Sequence, residues 1–121
     1  MSFSNRYSKY RAVRTEVDGI KFASKAEAAL YLYLKNLYPR NQIDCQPKIY
    51  LTEAKILYKP DFLIAGRYYE MKGVETPSWR IKRRLWQVYG PATLHVYKMR
   101  GAKVELTEMI SPEPCGESYM P

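Results

Sequence analysis

Lys59-Pro60-Asp61-Phe62-Leu63-Ile64-Ala65-Gly66-Arg67-Tyr68-Tyr69-Glu70-Met71-Lys72-Gly73 decides how this chain is read. Two apolar runs meet at Ala65-Gly66, a two-residue link of the kind that closes a β-hairpin. Side chains two apart along a strand share a face. Glu70 and Lys72 therefore point one way from the second run, and Tyr69 and Met71 the other. Asp61 reaches the same spot from the adjacent strand. Two carboxylates and one ammonium are thus expected to converge beside a sheet. Hard divalent cations take oxygen ligands, so Asp61, Glu70 and the backbone carbonyl of Met71 form a candidate Mg²⁺ site, with Mn²⁺ able to substitute. Lys72 is suited to orient or help deprotonate an attacking water, or to stabilise developing charge. Together these groups suit phosphodiester hydrolysis. A cross-strand salt bridge on a solvated face would use the same residues without chemistry. The apolar run that follows Asp61 weighs against it, because a half-buried acid needs a reason.

Upstream of the hairpin, residues 24–38 have helical periodicity, with Ala26, Leu30, Tyr33, Leu34 and Leu37 on one side. Pro39 ends that helix. Residues 17–22 read as a turn and a short extended piece. Ser24 and Glu27 have capping-box spacing, so Glu27 has a local use at the helix N-terminus. The helical wheel also sets it beside Tyr31 and Leu34, at the margin of the buried side. From there it is a candidate fourth group at the acidic site, serving a second metal or a bridging water. Residues 42–52, 55–64 and 67–72 read as three successive strands. Thr76-Pro77 opens a second helix, as N-cap and first helical residue, which stops before Gly90-Pro91. Residues 93–99 and 103–107 read as two more strands. The expected architecture is an α/β fold around a central mixed sheet, in the order α-β-β-β-α-β-β.

At 121 residues and 46% hydrophobic content, the chain suits a single domain with an ordinary core. Residues 17–108 are expected to form it, between a basic flexible arm (1–16) and an irregular, proline-containing tail (109–121). No apolar run approaches membrane-spanning length, and no secretory signal pattern follows Met1. Cys45 and Cys115 are far apart and form no CxxC, which makes a cysteine zinc site or disulfide framework improbable and fits a reducing cytoplasm. His95 is the only histidine, which gives a His-pair zinc site or a Ser-His-Asp triad little to work with and disfavours histidine-dependent nuclease chemistry unless His95 alone carries it.

Formal net charge is +8, but residues 105–121 hold four acids and no base, leaving 20 bases against 8 acids, a net of +12, over residues 1–104. An excess of that size points to a polyanionic partner, most simply DNA. Candidate DNA contacts are Arg6, Lys9, Arg11 and Arg14 in the arm and Lys25 at the first helix. Gln46 and Lys48 share a face of the first strand candidate. On the second helix, Trp79, Ile81, Leu85, Trp86, Val88 and Tyr89 fill one half of the wheel, and Arg80, Arg83, Arg84 and Gln87 the other. The arginine half has a single sign and no acid to pair, which favours phosphate contact over a merely solvated face. Lys82 falls among the apolar positions, to snorkel or to reach the acidic site.

The series Glu27 … Pro60-Asp61 … Glu70-Met71-Lys72, on helix–strand–strand–strand–helix–strand, resembles the PD-(D/E)XK nuclease superfamily. The stretch from Val17 to Ala28 is similar to a group of small phage-encoded proteins of that superfamily. Pro60-Asp61-Phe62-Leu63 and Glu70-Met71-Lys72-Gly73 are similar to the phage endonuclease I type of Holliday junction resolvase. The resemblance covers roughly residues 9–99. It implies a restriction-endonuclease-like core, metal ligation by Asp61 and Glu70, a catalytic Lys72 and an accessory acid at Glu27. It also implies a homodimer cutting branched DNA in a bacterial host cytoplasm. The expectation is therefore a Mg²⁺-dependent endonuclease for branched DNA. The alternatives are a nuclease of the same superfamily acting on linear duplex or single strands, and a non-catalytic nucleic-acid-binding protein.

Overall fold

Chain order in the structure, a computed structural model, is β1 (Thr15–Val17), β2 (Ile20–Phe22), α1 (Lys25–Lys35), one 3₁₀ turn (Arg40–Gln42), β3 (Asp44–Cys45), β4 (Ile49–Tyr50), β5 (Leu57–Tyr58), β6 (Phe62–Ile64), β7 (Arg67–Met71), α2 (Pro77–Tyr89), β8 (Leu94–Arg100) and β9 (Lys103–Ile110). Residues 13–52 and 55–112 are described. Arg6, Lys9, Arg11, Cys115 and most of the expected tail lie outside them. At the two boundaries, β1 begins inside the expected arm and β9 runs two residues into the expected tail.

The central sheet has the order β3-β6-β7-β8-β9. Only β7 and β8 run parallel, joined through α2, so the sheet is mixed as expected. The hairpin that anchors it closes with Ile64 opposite Arg67. Ala65 and Gly66 take φ of 50° and 79°, the two positive angles that a type I′ turn requires for its twist to match the strands. Asp18 and Gly19 do the same between β1 and β2, at 56° and 78°.

Side-chain alternation splits β6 and β7 between two apolar layers. Phe62, Ile64, Tyr69 and Met71 pack with Ala28, Leu30, Tyr31 and Leu34 of α1. Tyr68 and Leu63 pack on the opposite side with Trp79 and Trp86 of α2 and with Leu51 and Tyr58. Trp86 is fully buried and donates its indole N–H to the Ala92 carbonyl at 2.8 Å. Gly90 is required beside it, since a Cβ there would lie 2.6 Å from the indole ring.

The structure differs from the sequence expectation in three places. The long strands expected over 42–52 and 55–64 are each broken in two. Gln46 adopts φ 52° ahead of Pro47, and Lys59-Pro60 interrupts the second, so β3 pairs with β6 while β4 and β5 form a separate two-stranded ribbon. The buried stripe of α1 is rotated: Tyr31 is fully buried, whereas Tyr33 and Leu37 are exposed. The stripe of α2 is rotated too. Trp79 and Trp86 face the sheet with Lys82 and Arg83 partly covered, and Ile81, Val88 and Tyr89 face outward.

Candidate active site

The residue before β6 and the last residues of β7 lie at the same end of the sheet because their strands are antiparallel. That places Asp61 and Glu70 side by side, 8% and 6% exposed, the only acids among the described residues buried to that degree. Asp61 Oδ2 accepts the Met71 amide at 2.8 Å, locking the carboxylate across the strand pair. Glu70 Oε1 accepts the Tyr58 hydroxyl at 2.8 Å, and Glu70 Oε2 lies 3.3 Å from Lys72 Nζ. Lys72 itself rests over the Trp79 ring, 4.7 Å from its centroid. The alternation expected of Glu70 and Lys72 against Tyr69 and Met71 is present.

Glu27 enters from the first turn of α1. Its own amide is capped by Ser24 Oγ at 3.1 Å, and its carboxylate is stabilised by the Ala23 backbone amide. The two readings of Glu27 are therefore compatible, because the same side chain that finishes the helix start is also in electrostatic contact with Asp61, Glu70 and Lys72. Glu27 lines two clefts. One, of about 420 Å³, is bounded by Lys25, Met71, Lys72, Gly73 and Thr76. The other, of about 130 Å³, is bounded by Asp61, Gln46, Cys45 and Lys21.

Three acids against one lysine leave the cluster short of positive charge. Burial holds the Asp61 carboxyl well above the ordinary carboxylate range, and repulsion from Glu70 and Glu27 adds to it. Glu70 is raised by burial even though Lys72 and Tyr58 pull the other way. Glu27 is raised chiefly by burial as well. As the side chains stand, no group of three His, Cys, Asp or Glu residues among the described residues is arranged to hold a metal ion. The donor chemistry of the cluster nevertheless fits a hard divalent cation: carboxylate oxygens, excess negative charge and an open cleft on either side of Glu27.

The other candidate residues divide. Lys25 and Gln46 each line a cleft with Glu27. Lys82 sits over the Tyr58 ring at 5.9 Å, one residue removed from Glu70, in keeping with its inward position on the wheel. Arg14 and Arg84 are exposed. The face expected to lack acids does not lack them: Arg83 pairs with Glu108 of β9, and Arg80 lies 3.9 Å from Glu75. Lys48 and Gln46 do not share a strand face, because the chain turns at Gln46-Pro47. His95 stacks on Tyr69 at 4.8 Å, as a packed residue of the α1 layer.

Two contributors were not foreseen. Tyr58 reads from sequence as one more strand aromatic, and only the break at Lys59-Pro60 turns its hydroxyl onto Glu70. Trp79 was legible as apolar, but its place under Lys72 depends on the path of the chain from Gly73 to Thr76.

A family model described as a protein of unknown function, DUF1064, matches residues 7–105. No curated protein and no solved structure matches the chain. The family match spans well over half of the sequence, and the chain belongs to the DUF1064 family.

Proposed function

We propose that this DUF1064 protein is a divalent-metal-dependent DNA endonuclease of the restriction-endonuclease-like, PD-(D/E)XK kind, acting on branched DNA such as a four-way junction. The observation that carries the reading is the buried pair Asp61 and Glu70 at one end of the sheet, with Lys72 on Glu70 and Glu27 facing them from α1. A stabilising ion pair needs one base per acid. This cluster spends three buried or half-buried carboxylates on one ammonium, a cost that folding alone does not reward.

A divalent cation held by Asp61, Glu70 and the Met71 carbonyl would supply the positive charge that a phosphodiester requires as its phosphorus becomes five-coordinate. The chain's own groups do the rest. The Met71 amide and Tyr58 hydroxyl fix the orientations of Asp61 and Glu70. Lys72 Nζ, steadied by Trp79, orients the attacking water and stabilises charge on the phosphate oxygens. Glu27, with its raised affinity for a proton, is suited to accept one from that water. Lys25 and Lys82 offer phosphate contacts on either side. A homodimer is the simplest way for one such site per chain to cut two strands of a junction.

One observation favours a second reading, a non-catalytic nucleic-acid-binding protein: Glu70 already has protein partners in Tyr58 and Lys72, and no three-residue metal group is assembled among the described residues. The test is cleavage of a labelled four-way junction and of a linear duplex with the same arm sequence, in Mg²⁺ and in chelator, by the wild type and Asp61→Ala. Paired cuts in the junction alone, lost in chelator and in the variant, support a resolvase. Equal cutting of both substrates keeps the nuclease and removes the junction preference. Tight binding without any Mg²⁺-dependent cut supports the second reading.

A further inference from the structure

The β4–β5 ribbon stands apart from the central sheet and ends one turn of chain before Asp61. Its inner side is fastened: Leu51 is fully buried, Tyr58 is buried against Trp79 and Trp86, and its hydroxyl holds Glu70. Its outer side carries Tyr50 opposite Leu57, 57% and 36% exposed. Lys48 and Lys59 flank that pair at the base, and Lys55 lies toward the tip, all exposed. None of the three lysines makes an ion pair among the described residues, and the sequence from 48 to 59 sets them against a single acid, Glu53. Glu53 and Ala54 lie outside the described residues. An apolar pair flanked by an excess of lysines is poor protein surface for a solvated hairpin, and its charge suits a polyanion rather than an apolar protein partner.

We propose that this ribbon enters the major groove of duplex DNA beside the acidic cluster, with Lys48, Lys55 and Lys59 on phosphates and Tyr50 and Leu57 against base edges. The major groove is about 12 Å wide and admits a two-stranded ribbon, whose strands lie about 4.8 Å apart. The lysines set position on the backbone, and the Tyr50–Leu57 pair supplies apolar contact of the kind a thymine methyl accepts. Because Tyr58 is the inner residue of the same ribbon, seating the ribbon and orienting Glu70 are mechanically joined. The inference rests on the nuclease reading above and specifies where duplex DNA is gripped.

The experiment is fluorescence anisotropy of a labelled duplex with the full chain in chelator, so that binding is read without cleavage, across a salt series. The wild type is expected to bind with a steep fall of affinity with salt. Lys48→Ala/Lys55→Ala/Lys59→Ala is expected to lose about tenfold or more in affinity and to reduce the log–log salt slope by roughly 2–3. Arg67→Ala, exposed beside the Ala65-Gly66 turn at the opposite end of β7 from Glu70, should leave both unchanged. The substituted lysines are exposed, so the variant should melt with the wild type. A duplex with 5-iodouracil, whose iodine sits where the thymine methyl lies in the major groove, should photo-crosslink to the peptide containing Tyr50 and fail to do so in Tyr50→Leu. If the wild type binds but the triple variant keeps its affinity and slope, and no crosslink forms at Tyr50, the ribbon assignment is overturned and the nuclease reading stands. If the wild type does not bind duplex DNA, the ribbon assignment falls, and the nuclease reading is decided separately by cleavage of the four-way junction.

Discussion

Asp18 and Glu70 are each held by one tyrosine hydroxyl and one lysine ammonium. Asp18 Oδ2 accepts from Tyr31 at 2.7 Å and from Lys35 at 2.6 Å. Glu70 accepts from Tyr58 at 2.8 Å and lies 3.3 Å from Lys72. The two carboxyls nevertheless move in opposite directions. Asp18 is held below the usual carboxylate range by its hydrogen bonds to Lys35 and Tyr31. Glu70 is raised above it, because burial outweighs the same kind of partners and Glu27 adds repulsion. Identical local bonding therefore clamps a hairpin to α1 in one place and leaves an unbalanced, proton-hungry cluster in the other. The difference lies in charge count and depth: one acid per base at the surface, three acids per base in the interior.

The two carboxyl sites should differ most in catalysis. Lys72→Ala or Asp61→Ala should lower Mg²⁺-dependent cleavage by at least about 10²–10⁴-fold while duplex binding persists. Asp18→Asn should cleave within about twofold of wild type, as followed by gel assay under single-turnover conditions. A Lys72→Ala protein that cuts at the wild-type rate would end the catalytic assignment.

The two tyrosines should differ next in what their loss does. Tyr58→Phe removes a donor that orients a ligand carboxylate, and should weaken Mn²⁺ affinity by roughly 10–100-fold. Tyr31→Phe should leave Mn²⁺ affinity unchanged and show its effect only in thermal stability. Equal metal affinities in the two variants would mean that Tyr58 does nothing for Glu70 beyond packing.

Acidity separates the regions in sign. Asp61, Glu70 and Glu27 hold protons more tightly folded than unfolded, so the native state binds more protons than the unfolded chain above the ordinary carboxylate range. Metal-free stability should then fall as pH rises from that range through the raised one. Asp18 contributes the opposite way: its share is present above the ordinary carboxylate range and is lost as pH falls through its lowered value. Melting curves in chelator should show the cluster's slope flattened in Asp61→Asn and retained in Asp18→Asn. An Asp61→Asn protein with an unchanged pH slope would show that the raised carboxyl is not Asp61.

The smallest effect belongs to the surface clamp. Lys35→Ala should lower the denaturant midpoint only slightly, since an exposed ion pair is screened by water and salt, with no change in metal binding.

Much of the site was legible because a strand's period of two and a two-residue turn leave little freedom. Once Ala65-Gly66 closes the hairpin, Asp61 and Glu70 must share one end, and Lys72 must share the face of Glu70. Glu27 followed from helix geometry, three residues past its N-cap. The rest depended on contacts with no local signature. Positive φ at Gln46, a residue with no special claim to it, breaks the expected strand and frees the ribbon. The wheels of both helices were centred on apolar content, whereas burial followed the largest rings, Tyr31, Trp79 and Trp86, and left Ile81, Val88 and Tyr89 outside. Arg83 and Glu108 meet across 25 residues, a pairing no periodicity announces. Tyr58 acts through its hydroxyl only because the chain turns at Pro60.

The most direct test of the unbalanced cluster as a cation site is Mn²⁺ titration of the isolated protein, following the loss of the free-ion electron paramagnetic resonance signal, for the wild type, Asp61→Asn and Asp18→Asn. The wild type should bind Mn²⁺ saturably and more tightly as pH rises, with binding kept in Asp18→Asn and lost in Asp61→Asn. Mn²⁺ that stays free with the wild type, or binds Asp61→Asn equally well, would rule out a cation site at the cluster.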